Sequence, residues 1–294
     1  SHLSFEMEYQ EQAYMVNSTP LSIDNQPQWA LLVWSNTTEM KKTEQELIRA
    51  LQTEQELNDL KSRFMSMASH EFRTPLSAIL SSAILIGKQN EPGRESKRER
   101  YVKQIKNNVR NLVVILDDFL SLSKLEEGEI SCQPSDFDLR ELLRSVLEEM
   151  ETNLKMGQHF VEECQHISYM AHQDPKLTRH ILVNLLSNAI KYSSENTTIH
   201  IVLRREGPQF LLSVRDEGMG IPENEQGQIF SRFFRARNAE NIQGTGLGLN
   251  IVKQYTELMG GSVEFSSKLG EGSIFILKLP TTCKLCSDEK DPDY

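Results

Sequence analysis

Between Thr38 and Gly87 the chain has no internal glycine and a single proline, Pro75. So long a stretch without breakers reads as one continuous α-helix. Leu47, Leu51, Leu57, Leu60, Phe64 and Met67 form a narrow apolar stripe along it. A stripe this narrow fits the seam of a parallel coiled coil that feeds a bundle. Leu51, Glu54, Leu57 and Leu60 step by threes, so the heptad register slips at Glu54, which would face its twin in a dimer. Glu95 to Lys124 reads as a second long helix, with Val102, Ile105, Val109, Leu112, Val113, Leu116, Phe119, Leu120 and Leu122 on its apolar side. The turn at 89–93 joins the two as an antiparallel hairpin. One hairpin cannot cover both stripes, which predicts a homodimer closing a four-helix bundle.

Inside the first helix lies FMSMASHEFRTPLSAIL, from Phe64 to Leu80. At about 100° per residue Phe72, Leu76 and Ile79 share a buried face, and His70 points largely away to solvent. A neutral imidazole is abundant near pH 7 because its ordinary pKa is about 6.5. Glu71 can accept one ring N–H and leave the other nitrogen nucleophilic. Thr74, one turn on, can position a water. Pro75 removes a helical N–H and clashes with the Glu71 carbonyl, which predicts a bend. A single helical histidine is usually an ordinary surface residue. The whole string, together with the asparagine and glycine segments between 184 and 273, makes His70 a candidate.

Residues 1–38 show two short strand patterns, FEMEYQ and WALLVW, around the turn-rich NSTPLSIDNQPQ. Two strands alone do not make a stable sheet, so this segment reads as the cut end of a longer sensor, with Ser1-His2 as a tag remnant. From Ile130 to Leu279 strands and helices mix. Strands are expected at Ile130–Gln133, His159–Glu163, Ser168–Ala171, Thr198–Arg205, Gln209–Asp216, Ser262–Ser267 and Gly272–Leu279. Helices are expected at Leu139–Met156, Pro175–Lys191, Glu223–Ile229 and Leu247–Met259. These make a two-layer α/β sandwich. Thr281–Tyr294 is a polar, acidic tail.

Four segments of this second half carry nucleotide chemistry. Asn184 and Asn188 stand one turn apart on a helix face, and a carboxamide oxygen is a hard ligand suited to Mg²⁺. Lys191 and Tyr192 come next, a cation for phosphate and a ring for a nucleoside. Two asparagines alone would more often be ordinary surface residues. In DEGMGIP, Asp216 ends a strand and can accept from the amine of adenine, while Gly218 and Gly220 let the backbone and Ile221 approach the base. Gly244-Thr245-Gly246-Leu247-Gly248-Leu249, preceded by Gln243, sits just before a helix and presents N–H groups to phosphate. The spacing is neither G-x-G-x-x-G nor G-x-x-x-x-G-K-[ST], which argues against dehydrogenase and P-loop readings. Ser273, in GEGS, can lie near the base, although a plain hairpin turn explains that stretch equally. Between the glycine segments, FSRFFR supplies Arg235 for phosphate and phenylalanines that anchor a mobile lid or simply join the core.

S-H-E-F-R-T-P-L resembles the phosphoacceptor motif of sensor histidine kinases. In their order and spacing, N-x-x-x-N, D-x-G-x-G, F-x-x-F-F-R and G-T-G-L-G-L resemble the N, G1, F and G2 boxes of that family's catalytic domain, whose ATP-binding fold is shared with DNA gyrase and heat-shock chaperones. Residues 1–38 resemble the end of a PAS sensor domain, with Ser35-Asn36-Thr37-Thr38 where a D-x-T-like signature is usual. The resemblance implies a remnant of the sensor at 1–38, a signalling helix at 39–62, a dimerisation and phosphotransfer domain at 63–128, an ATP-binding domain at 129–281 and a tail at 282–294. It further implies ATP and Mg²⁺ as cofactors, with Asn188 on the metal and Asn184 in support. Asp216 would read adenine, and Gly244, Gly246 and Gly248 would hold the triphosphate. Lys191 and Arg235 would neutralise charge, and His70 would be the phosphorylated residue. A response regulator's aspartate would take the phosphoryl group, and Thr74 would align water for the regulator's dephosphorylation.

A net charge of −10 without a long basic run argues against nucleic acid as the main partner. No apolar run approaches the roughly 18 residues of a membrane span, so the chain reads as cytoplasmic, while a whole protein could be anchored through upstream sequence. Cys283 and Cys286 form C-x-x-C, half of a zinc site with no second close pair, and the four cysteines read as reduced thiols. Two other readings stay open. A gyrase- or chaperone-like ATPase would hydrolyse ATP without His70, although that class usually places a Glu where Asn184 stands. A non-catalytic docking module would fail to bind ATP.

Overall fold

The structure is a computed structural model that describes residues 3–10, 12–23, 26–88, 94–239, 242 and 244–283. The 89–93 turn, Gln243 and the tail with Cys286 lie outside the described residues. So do the side chains of 20–30, 53, 56–67, 70 and 126, and with them Leu57, Leu60, Phe64, Met67 and His70. The chain divides into two compact units, Ser1–Ser66 and Met67–Tyr294.

In the first unit β1 (Leu3–Tyr9), β2 (Gln12–Ile23) and β3 (Gln26–Asn36) form an antiparallel sheet in that order. Three strands replace the two expected. The stretch read as turns is mostly strand, because Pro20 and Pro27 are accommodated in paired positions, with a register shift between Leu21 and Ser22. Ala13 and Val16 are buried on β2. The Ala13 N–H donates to Thr38 Oγ1 at 2.9 Å and its carbonyl accepts from Thr37 N at 2.8 Å, which pins the sheet to the start of α1.

Helix α1 runs over Thr38–Gly87 without interruption at Pro75. In the second unit its C-terminal part packs against α2 (Glu95–Glu126). The Phe72 and Phe119 ring centroids are 5.9 Å apart, and Ser82 Oγ meets Gln104 Oε1 at 3.4 Å, an antiparallel pairing. The face buried within the chain carries Ala68, Glu71, Pro75 and Ser82 from α1 and Ile115, Asp118, Phe119 and Leu122 from α2. Leu76, expected inside with Phe72, is exposed instead, together with Leu80, Ile84, Val109, Val113, Leu116 and Leu120. One hairpin has two apolar sides, and this chain alone covers only one of them.

The α/β sandwich has a five-stranded mixed sheet in the order β5-β7-β8-β10-β9. The strands are β5 (His159–Cys164), β7 (Thr198–Glu206), β8 (Gln209–Asp216), β9 (Ser262–Lys268) and β10 (Gly272–Pro280), and only β5 and β7 are parallel. A second ladder pairs β4 (Ser135–Asp138) with β6 (Met170–Gln173). Alternation along β7, β8 and β10 buries Ile199, Ile201, Leu203, Phe210, Leu212, Val214, Phe275 and Leu277. Over them lie α3 (Leu139–Glu151), α4 (Pro175–Tyr192) and α5 (Gly248–Leu258), each amphipathic and contributing Leu143, Ile181, Leu185 and Ile251 among others. The expected strand at Ile130–Gln133 is absent. Gln133 gives its N–H to Asp174 Oδ2 at 2.9 Å and Pro134 has none, so no ladder forms until Ser135. Glu223–Gln228 is a 3₁₀ turn rather than an α-helix. No described helix is long and apolar enough to cross a membrane.

Candidate nucleotide site and phosphoacceptor helix

Asp174 starts the helix on which the site is built. Its Oδ1 accepts from Lys176 N at 2.8 Å and Leu177 N at 3.1 Å, and Pro175 occupies the first turn where a missing N–H costs nothing. The apolar face of α4 is sealed in the core, so Asn184 and Asn188 emerge half-buried on the other side.

A cleft open to solvent lies beside this face. It gathers Asn188, Tyr192, Asp216, Gly220, Ile221, Arg235, Leu249 and Ser273, all named from the sequence. Met219, Ile229, Phe234, Ala236, Asn238, Ala239 and Phe275 line it as well and were not foreseen. For an apolar cleft wall the sequence carries no signal that separates it from ordinary core. Asn238 has a role that spacing could not announce, since its Nδ2 donates to the Gly220 carbonyl at 2.8 Å and fixes the turn.

Asp216 sits at the end of β8, 6% exposed. Its Oδ1 accepts from Gly218 N at 2.8 Å, yet burial outweighs this help and pushes its pKa up to about 6. Two turns beside it leave no room for a side chain. At Gly272 (φ +101°) a Cβ would stand 2.0 Å from the Asp216 carbonyl oxygen, and at Gly220 (φ +65°) 2.1 Å from the Lys268 carbonyl oxygen. Gly220→Ala therefore loses about 3 kcal/mol or more, a fall of about 6–12 °C in Tm for a unit of this size. Gly227→Ala, where nothing lies within 4 Å, leaves the melt unchanged. Equal melting curves for the two variants would contradict the reading.

The glycine loop, Gly244–Gly248, lies just outside the cleft. Space for a Cβ at Gly244 is taken by Lys191 Nζ at 2.4 Å, and at Gly248 by Asn184 Oδ1 at 2.6 Å. Lys191 and Asn184 thus face the loop rather than the cleft, and Lys191 Nζ also meets the Tyr192 hydroxyl at 3.1 Å. Across Gly246 (φ +70°) the loop presses on Phe233, itself at φ +61°. These amides and this ammonium can receive phosphate, and Asn188 can offer an oxygen to a divalent cation beside it.

Both hairpin helices reach this site. Thr245 Oγ1 donates to Asp118 Oδ2 of α2 at 3.0 Å, and both residues are buried. Arg235 Nη1 lies 3.7 Å from Glu71 Oε1 of α1, while its Nη2 donates to the carbonyls of Ala239 at 3.1 Å and Ile242 at 2.6 Å. Glu71 is thus engaged by the α/β sandwich. Thr74 is exposed, one turn further along.

Burial pushes Asp118 up to about 6, the Thr245 hydroxyl only partly opposing it. A carboxyl raised in the folded chain adds stability that is complete below its unfolded pKa and is lost as pH rises through about 6. Asp118→Asn keeps an acceptor for Thr245 and removes the buried charge. It should gain on the order of 2 kcal/mol at pH 8 and almost nothing at pH 4, read as melting shifts at the two pH values. An equal shift at both would show that charge burial is not the cause.

Two family profiles match the chain. "His Kinase A (phospho-acceptor) domain" covers residues 60–128, and "Histidine kinase-, DNA gyrase B-, and HSP90-like ATPase" covers residues 173–282. The circadian input-output histidine kinase CikA of Synechococcus elongatus is 36% identical over 242 residues, 80% of this chain and 32% of that protein. The sensor histidine kinase RcsC of Salmonella typhimurium is 31% identical over 257 residues, 85% of this chain and 26% of that protein. The chain therefore spans a third or less of these relatives. Among solved structures, full-length ShkA in complex with AMPPNP matches with a TM-score of 0.54 at 26% identity, over 74% of this chain and 45% of that one. ThkA in complex with the response regulator protein TrrA shares the fold, with a TM-score of 0.57 at 24% identity over 95% of this chain and 78% of that one. Phosphoacceptor hairpin, ATPase-type sandwich and relatives agree, and the chain belongs to the sensor histidine kinases of two-component systems.

Proposed function

We propose that this chain phosphorylates its own His70 from ATP and passes the phosphoryl group to an aspartate in the receiver domain of a response regulator. One observation carries the reading most directly. Glu71, the neighbour of His70, lies within 3.7 Å of Arg235, and Arg235 lines the nucleotide cleft. The phosphoacceptor helix and the ATP site therefore belong to one working unit.

Asp216 accepts from the adenine amine, and Gly218, Gly220, Ile221 and Ser273 shape the base pocket around it. Tyr192 and Leu249 flank the nucleoside. Gly244, Thr245, Gly246, Leu247 and Gly248 present the loop to the phosphates, with Lys191 and Arg235 as counter-charges. Asn188 holds Mg²⁺ and Asn184 supports it; when bound, the ion offsets charge on the phosphate oxygens. His70 is the in-line nucleophile, and Glu71 takes the proton on its other ring nitrogen. Thr74 aligns water for dephosphorylation of the regulator; one relative, the autoinducer 2 sensor kinase/phosphatase LuxQ of Vibrio vulnificus, carries phosphatase in its name.

Two copies associate through the outward apolar residues Leu76, Leu80, Val109, Val113 and Leu116 to complete a four-helix bundle. Residues 1–38 are the end of a PAS-like sensor, 39–62 the signalling helix, 63–128 the phosphotransfer domain, 129–281 the ATP-binding domain and 282–294 a tail. The working place is the cytoplasm, where ATP and receiver domains are found.

The test is direct. With γ-labelled ATP and Mg²⁺ the chain should acquire label that acid removes and base does not, as a phosphohistidine does. Multiple-turnover hydrolysis without labelled protein would point instead to an ATPase of the gyrase type.

A further inference from the structure

Cys132 and Cys283 are 151 residues apart in sequence, and their Sγ atoms are 3.6 Å apart. Cys132 stands half-buried in the linker between α2 and β4, and Cys283 is buried just beyond β10. The backbone of Cys283 is fixed, since its N–H donates to the His172 carbonyl at 2.9 Å. A disulfide needs a sulfur–sulfur distance of about 2.05 Å, so the two sulfurs have about 1.5 Å left to close.

The remaining described cysteine is a poor competitor. Burial and the Glu162 carboxylate, 3.1 Å from its sulfur, push the Cys164 thiol up to about 11. Among the described residues no group of three or more histidines, cysteines and carboxylates gathers as a metal site.

We propose that Cys132 and Cys283 form an oxidant-responsive disulfide that ties the interdomain linker to the last strand of the ATP-binding domain. The oxidant is a peroxide. Cys132, the more accessible sulfur, attacks one peroxide oxygen as a thiolate. The O–O bond breaks, the departing oxygen leaves as water, and Cys132 becomes a sulfenic acid. Cys283 gives up its proton and its sulfur attacks that of Cys132, expelling a second water. Two thiols and one peroxide become one disulfide and two waters. Because the amides of Glu127, Gly128 and Glu129 already bond back to the end of α2, the tether leaves only Ile130 and Ser131 between that helix end and the bond. This goes beyond the phosphotransfer reading and does not depend on it.

The full chain, treated with hydrogen peroxide and digested without reductant, should yield one linked peptide pair joining Cys132 to Cys283, reversed by dithiothreitol. Cys132→Ser and Cys283→Ser should each abolish it, and Cys286→Ser should not. The oxidised chain should melt about 5 °C or more higher than the reduced one, because the bond closes a long loop. Amide hydrogen exchange across 129–134 should slow about tenfold. A Cys283–Cys286 bond, a bond between chains, or no linkage would overturn the proposal. So would a Cys132–Cys283 bond that leaves exchange in the linker unchanged.

Discussion

Changing His70 to glutamine should abolish acid-labile label completely while leaving ATP affinity within a factor of two. Glutamine keeps a polar side chain on α1 and has no nucleophilic nitrogen near pH 7, since an amide nitrogen is delocalised into its carbonyl. The cleft residues are untouched, so nucleotide titration serves as the internal control. Loss of both label and binding would mean that the substitution had disturbed the docking of α1, not the chemistry. Undiminished label in this variant would move the phosphorylated residue elsewhere and remove the central claim of the proposed function.

The second large effect concerns Asp216. Its carboxylate is buried, so the proposed hydrogen bond from the adenine amine would be made to a charge that water does not screen. Such bonds contribute about 1.5–3 kcal/mol, and Asp216→Asn should weaken ATP binding by about 10–150-fold. Because burial raises the carboxyl to about 6, the proton is the competitor of the base. As pH falls through 6 the ionised acceptor is lost, and wild-type affinity should drop about fivefold between pH 6 and pH 5 beyond any change in the variant. Protonation of the nucleotide itself affects both proteins alike, so the difference between them isolates Asp216. The sign for stability is opposite. The raised carboxyl stabilises the ligand-free fold fully below its unfolded pKa and progressively less as pH rises through 6. At pH 8 the ligand-free Asn variant should melt higher than wild type, although it binds ATP worse. Matching pH profiles of affinity would show that Asp216 does not read the base.

The long helix was legible from end to end, because Thr38–Gly87 holds no internal glycine and one proline, Pro75, at which the helix continues. So were α4 and the strands that alternate cleanly. The second strand of the N-terminal sheet was hidden, since Pro20 and Pro27 read locally as turns, while pairing with neighbouring strands is a non-local matter. Asp216, Gly220 and Asn188 could be placed in a cleft because N-x-x-x-N and D-x-G-x-G occur in order with the other two segments, whereas each alone would be an ordinary turn or surface residue. Thr245 and Arg235 could not be fully foreseen. Both were assigned to phosphate, yet the structure joins Thr245 to Asp118 and Arg235 to Glu71, partners distant in sequence. Spacing speaks for contacts within one element and is silent about which carboxylate another element will supply. The meeting of Cys132 with Cys283 was invisible for the same reason.

Asp174 divides its two oxygens between different tasks. One caps α4, and the other receives the N–H of Gln133 as the chain comes off the hairpin. A pull on that strip of backbone therefore bears on the first turn of the rod that carries Asn188. Mechanical load arriving from the stalk has a hydrogen-bonded route to the asparagine's mounting, and it crosses a single carboxylate.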